Sequence, residues 1–251
     1  MSNKIGIIGG SGLDDPNLLN KPKDVEVSTP WGKPSSCLRT GEIDGVMVVL
    51  MARHGHKHTI PPTQVNYRAN IHALKEIGCT HLLVSTAVGS LRAEIQRGDL
   101  IVPDQFIDFT RQRKMTFHES FEPNRPLHQA MPDPFDPQLR KIMIQELQTL
   151  GYRHHPSGTV ITIEGPRFST RAESRMYRIW GADVVNMSVA TECMLANEAG
   201  LPYAAIGMST DYDAWKDDEE PVTWQVVEAV AKENASKVLT LLRKIIPVIG
   251  K

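Results

Sequence analysis

Cysteine is scarce: only Cys37, Cys79 and Cys193 occur in 251 residues, and they are far apart. That spacing builds neither a disulfide framework nor a zinc site, and it fits a reducing compartment, here expected to be the cytoplasm. An excess of charge of either sign is missing too. Lys and Arg total 28 against 29 Asp and Glu, a formal net charge of −1. No basic field is available for a nucleic acid or an anionic membrane, so neither is expected as a partner. Long apolar runs are absent. The opening M-S-N-K-I-G-I-I-G-G is too short in its apolar part for a secretory signal, and nothing later approaches the length that spans a bilayer. No repeat, low-complexity tract or linker divides the chain. What remains is 41% hydrophobic and 23% charged, an ordinary globular composition, at a length that one large domain over 1–251 commonly fills.

Short apolar runs alternate with stretches of helical period. Strands are predicted over 5–8, 46–52, 81–85, 98–103, 159–163, 184–187 and 203–208, and helices over 65–78, 137–150, 171–180, 191–199 and 223–246. The polar, proline-interrupted segment 108–134 has no clear period and is expected to be a functional loop or an intersubunit arm. The acidic run 217–220 is expected to be a solvated loop.

Three predicted strands end in residues suited to anions. The first runs into Gly9-Gly10-Ser11-Gly12, whose backbone N–H groups can close on an anion with the Ser11 hydroxyl as an extra donor. It is not a dinucleotide fingerprint, because the third glycine would fall at Asp15, and no G-K-S/T sequence marks a P-loop. The second ends in Arg53-His54-Gly55-His56-Lys57-His58, where the Arg53 guanidinium can hold a phosphate bidentately. His54, His56 and His58 alternate as metal ligands could, but with no carboxylate partner the cluster reads as an anion site. The third ends in Thr86-Ala87-Val88-Gly89-Ser90. Parallel strands that end this way can converge on one phosphate. A fourth run, A-A-I-G-M-S-T-D-Y-D-A-W, delivers Asp211 and Asp213 past the carboxyl end of a buried strand, where open α/β sheets bind ligands. Aspartates also serve as plain turn residues, and the sequence alone allows both uses.

Taken together, I-G-I-I-G-G-S-G-L, T-P-W-G-K-P-S, A-R-H-G-H-K-H-T-I-P-P, V-N-Y-R-A-N-I, G-D-L-I-V-P-D-Q-F-I-D, T-I-E-G-P-R-F-S, V-V-N-M-S and S-T-D-Y-D-A-W span nearly the whole chain in order. With these blocks the chain resembles the trimeric purine nucleoside phosphorylase family. The resemblance implies a single α/β domain with a central mixed twisted sheet, partly barrel-like, flanked by helices. It implies reversible phosphorolysis, with inorganic phosphate as co-substrate and neither cofactor nor metal, in a homotrimer.

Carried over by position, the resemblance places phosphate on Ser11, Arg53, His54, Thr86, Ala87 and Ser188. Met187 would lie under the ribose, and Phe168, Ser169 and Thr210 beside the base, with Asp211 and Asp213 on the purine edge. Trp224 and Val227 would line the 5′ pocket, and His128 would reach a neighbouring subunit's site. The departing base needs a proton at N7, and an aspartate supplies one only if burial and a second carboxylate raise its pKa. A carboxylate acceptor suits a 6-amino group, and an apolar 5′ lining suits a methylthio substituent. The alternative within the family is a 6-oxo purine nucleoside or its methylthio counterpart.

The sequence departs from the family at Ser188, where threonine is common, and at Ala190-Thr191-Glu192, which replaces a proline-glutamate pair. Trp224 is bulkier than the small apolar residue expected there. Outside the family, Arg53-His54-Gly55 resembles the opening of the histidine phosphatase signature. A non-catalytic nucleotide-binding module using the Gly9–Gly12 loop is a third possibility.

Overall fold

Strand β5 (His81–Ser90) organises the molecule because it borders three other strands. Its first part runs parallel between β1 (Lys4–Gly9) and β11 (Tyr203–Asp211). Its last two residues pair antiparallel with β10 (Val184–Asn186). A strand covered on both faces must be apolar almost throughout, and Leu82, Leu83, Val84 and Val88 are all buried. In this computed structural model, which describes residues 3–9, 18–219 and 222–251, the strands form one eleven-stranded sheet.

Beyond β1 lie β4 (Val46–Ala52), parallel to it, and then β3 (Leu38–Ile43) and β2 (Asn20–Val25), antiparallel. On the other side the sheet divides. One branch continues from β10 to β9 (Thr159–Ile163) and β7 (Gln105–Phe109), and the other from β11 to β6 (Leu100–Ile101) and β8 (His154–His155). The branches do not join, so the partly barrel-like sheet expected from the resemblance is instead an open fork among the described residues.

Five α-helices complete the described fold. They are α1 (Tyr67–Glu76), α2 (Pro137–Thr149), α3 (Arg171–Ile179), α4 (Val189–Glu198) and α5 (Trp224–Ile249). Their starts follow local chemistry. Asn66, Asp136 and Thr223 accept from backbone N–H groups of α1, α2 and α5, and Thr170 forms a reciprocal capping box with Glu173 on α3. One core packs Ile71 and Leu74 of α1 with Cys193 and Leu195 of α4. A second packs Leu139 and Met143 of α2 with Val238, Leu241 and Ile245 of α5.

Several predicted boundaries move. The strand expected over 81–85 continues to Ser90, and the one expected over 203–208 continues to Asp211. Thr86, Ala87 and Asp211 are therefore strand residues rather than loop residues. Strand β7 enters the segment taken as irregular from 108. Strands β2 and β3 were not expected: N-K-P-K-D-V is charged and exposed, as an edge strand can be, and carries no apolar alternation.

Candidate active site

The carboxyl ends of these strands open on one cavity of about 360 Å³. β4 delivers Arg53 and His54, β5 delivers Thr86, Ala87 and Gly89, and β10 delivers Asn186, Met187 and Ser188. β11 delivers Thr210, Asp211 and Asp213, the segment after β9 brings Phe168, and the first turn of α5 brings Trp224 and Val227. Three expected residues stand apart. Ser11 lies outside the described residues. Ser169 lines an adjoining cleft that shares Asp213 and Phe168 with the main cavity. His128 is exposed and packs edge-on against Phe121, away from this chain's cavity.

At one end, Arg53 is 1% exposed. Its Nε donates to Glu192 Oε1 at 2.5 Å, its Nη2 to Glu192 Oε2 at 2.9 Å, and its Nη1 to the Ser85 carbonyl at 3.1 Å. The bidentate fork expected to hold phosphate thus closes on a carboxylate, and Arg53 borders the cavity as one half of a buried ion pair. Tyr203 donates its phenol proton to Glu192 Oε2 at 3.1 Å. Glu192, one of the residues that depart from the family pattern, was not expected in this role.

His54 Nδ1 lies 2.8 Å from the Ile60 carbonyl, so it carries the proton and leaves Nε2 as an acceptor. Burial, reinforced by the Arg53 charge, pulls the imidazole pKa down to about 4. At neutral pH His54 is uncharged. Thr86 and Ser188 are oriented by Asn186, a buried residue the sequence reading did not single out. Asn186 Nδ2 donates to Thr86 Oγ1 at 3.3 Å, and Asn186 Oδ1 accepts from Thr162 Oγ1 at 2.8 Å and from the Ser188 backbone at 3.4 Å. Ser188 begins α4 without a side-chain capping bond. The Ser188 and Ala190 N–H groups are taken by Asn186 and Thr162, and the positive end of the helix dipole beside two hydroxyls is suited to an anion.

At the other end, the register of β11 against β5 shifts between Ser209 and Asp211, so that Asp211 falls opposite Gly89. Such a bulge re-aims side chains. Thr210 Oγ1 donates to Asp211 Oδ2 at 2.7 Å, and the Asp213 backbone N–H donates to Asp211 Oδ1 at 2.8 Å. Both bonds favour the carboxylate, yet burial outweighs them and raises Asp211 to about 6. Asp213 has φ of 48°, a left-handed conformation unusual for a residue with a side chain. Burial raises its pKa as well, with the nearby Ser174 and Ser169 hydroxyls pulling the other way. Neither hydroxyl completes a hydrogen bond, and Asp213 Oδ2 is buried without a partner.

Between the two ends, the ring of His58 (φ 53°) packs at a tilt against His54, with centroids 4.5 Å apart, and against Trp224 at 4.9 Å. His56 turns elsewhere, with Nε2 3.4 Å from Cys37 Sγ. The three histidines therefore do not converge, and no metal-binding cluster of His, Cys, Asp or Glu exists among the described residues.

A forked α/β sheet whose strand ends enclose an anion-suited end and a protonatable carboxylate pair is the architecture of a nucleoside phosphorylase. The chain belongs to the phosphorylase superfamily, which matches residues 4–247. It is 55% identical over 247 residues to the S-methyl-5′-thioadenosine phosphorylase of Danio rerio, covering 97% of this chain and 88% of that protein. It is 50% identical over 246 residues to the enzyme of the same name from Thermofilum pendens, covering 97% and 91%. Methylthioadenosine phosphorylase from Schistosoma mansoni in complex with adenine superposes with a TM-score of 0.93 at 42% identity, covering 99% of this chain and 92% of that one. A mutant adenosine/methylthioadenosine phosphorylase of that organism in complex with methylthioadenosine gives a TM-score of 0.92 at 41% identity, with the same coverage. Membership in this superfamily sets aside the histidine phosphatase alternative for Arg53-His54-Gly55.

Proposed function

We propose that the protein catalyses the reversible phosphorolysis of S-methyl-5′-thioadenosine to adenine and 5-methylthioribose 1-phosphate, with phosphate as co-substrate and no cofactor. The observation that carries this is the Asp211–Asp213 pair, one carboxyl of which holds a proton up to pH about 6 while the other keeps an unpartnered oxygen. As the glycosidic bond breaks, its electron pair moves onto the base and Asp211 gives a proton to N7. Asp213 accepts from the 6-amino group, with Ser169 beside it. The ribosyl carbon gains positive charge above Met187, and a phosphate oxygen closes on it.

Thr86, Ala87, Ser188 and the start of α4 hold that phosphate beside Arg53, with Ser11 completing the site. Neutral His54 accepts a hydrogen bond at Nε2 from the P–OH of monohydrogen phosphate, which keeps its proton. Trp224, Val227 and His58 pack on the 5′-methylthio group, and Phe168 and Thr210 flank the base. The exposed Met115, Phe121 and Leu127 on the segment that bears His128 support docking of that segment on a neighbouring copy in a homotrimer. No helix among the described residues is long and apolar enough to cross a membrane, and we assign the enzyme to the cytoplasm on its cysteine usage.

Incubation with S-methyl-5′-thioadenosine, adenosine or inosine, with and without phosphate, tests this. Chromatography should show adenine released from the first only when phosphate is present, and inosine cleaved more slowly. Base release independent of phosphate would exclude phosphorolysis, and faster cleavage of inosine would exclude the 6-amino preference.

Gly89 offers a second check. A Cβ there would lie 2.8 Å from Asp211 Oδ1 and 3.1 Å from Val185 Cγ1. Gly89→Ala should therefore push the acid out of line and lower kcat by about ten-fold to a hundred-fold. A variant of unchanged kcat would show that the close contact has no bearing on Asp211.

A further inference from the structure

The strand end that carries Asp211 is fastened by a turn, residues 96–99, that the reaction scheme does not use. The Gly98 N–H donates to the Ser209 carbonyl at 2.8 Å, and the Ser209 N–H donates to the Asp99 carbonyl at 3.0 Å. These bonds extend the β6–β11 ladder past its Leu100–Met208 pair. At the same point the other ladder, to β5, slips. Ser209 is thus pinned from the β6 side immediately before the bulge that turns Thr210 and Asp211. Beyond the aspartate, Arg97 of the same turn lies over the Tyr212 ring, 5.6 Å from its centroid, and pairs with Glu219 at 2.6 Å. The turn therefore holds the residues on both sides of Asp211, two positions before it and one after.

The turn is itself held by a buried carboxylate. Asp99 is 3% exposed. Its Oδ2 accepts from the Gln96 backbone at 2.8 Å and lies 2.9 Å from His155 Nε2, and its Oδ1 lies 3.1 Å from Arg153 Nε. His155 belongs to β8, whose one sheet partner among the described strands is β6. Lys237 of α5 adds a bond to the Gly98 carbonyl at 3.0 Å. A buried carboxylate with this many partners is costly to assemble and leaves little freedom to what it holds.

We infer that Asp99, fixed by His155 and Arg153, is a positioning residue: it sets the 96–99 turn, and the turn sets the aim of Asp211. This rests on the acid role proposed for Asp211. The test is a pair of double-mutant cycles, with His155→Gln and Arg97→Ala each made in the native chain and in Asp211→Asn. In the native chain each should lower kcat for S-methyl-5′-thioadenosine by about ten-fold, with the KM for phosphate within about two-fold of its original value. In the Asp211→Asn background the same changes should cause no further loss, because the group they aim has gone. Asp99→Asn should follow the same pattern, and the two milder variants decide the matter if it does not fold. Equal losses in both backgrounds, or an unchanged kcat in the native chain, would overturn the inference while leaving the acid role intact. Asp211→Asn that phosphorolyses at the native rate would remove the acid role and the inference with it.

Discussion

Asp211→Asn should lower kcat/KM for S-methyl-5′-thioadenosine by about 10²- to 10⁴-fold, the usual worth of a positioned general acid, while phosphate binding changes little. Steady-state kinetics beside equilibrium phosphate binding would separate the two, and equal loss of both would make Asp211 a structural residue. The pH dependence sharpens this. In the free enzyme Asp211 loses its proton near pH 6, so kcat/KM should fall as pH rises through that value. The asparagine variant should lack this limb.

In the asparagine variant stability should move the opposite way from activity. The folded pKa of Asp211 lies above its ordinary 3.8, because burial penalises the charged form. The protonated group's contribution is therefore fully present below pH about 4 and is lost as pH rises through about 6, at a cost of up to roughly 3 kcal/mol. Asparagine has no such charge to bury. It can keep the acceptor for the Asp213 N–H and donate to Thr210 Oγ1, which can turn its own proton to the Val88 carbonyl 3.3 Å away. At neutral pH the variant should be at least as stable as the native enzyme and much less active.

Glu192→Gln carries the largest expected loss of stability. It leaves the Arg53 guanidinium buried with no counter-charge, which typically costs about 3–5 kcal/mol. For a chain of this size that is a fall of about 6–20 °C in thermal midpoint. The pair has 2% and 1% side-chain exposure, so solvent does not screen it. Removing both charges together, as in Arg53→Met with Glu192→Leu, should cost far less than the single change, because no orphaned charge remains. Differential scanning calorimetry of the two variants checks the contrast. A single variant as stable as the double would mean that water reaches Arg53.

Much of the frame was legible because buried parallel strands read as plain apolar runs, and their ends carry conspicuous chemistry. Arg53, Thr86, Asp211 and Asp213, read from those ends, line one cavity, and Ser188, which only the resemblance implied, lines it too. What Arg53 faces was not legible. Its partner lies 139 residues away in sequence, and a guanidinium suited to phosphate is equally suited to a carboxylate. Asn186 was missed because a lone asparagine within a short strand points to no chemistry until Thr86 and Ser188 are seen around it. The bulge at Thr210 was hidden for a related reason: alternation within one strand says nothing of a slip against its neighbour. Ser169 and His128 were expected at the base and at a neighbouring site, and in the single chain they lie in an adjoining cleft and on the surface.

The fork at β5 has a consequence for how the two halves of a nucleoside are measured. Thr86 and Ala87 face the anion end, and Gly89, three residues past Thr86, abuts the carboxylate at the base end. At about 3.3 Å per residue, the two ends are set roughly 10 Å apart along one continuous backbone. That backbone serves as a ruler. The spacing of Thr86 and Gly89 is fixed by the rise of one strand, while the aim of Asp211 is added by β11 and the 96–99 turn. Substitutions in the walls can change which base or which 5′ group is accepted without changing the reach between them.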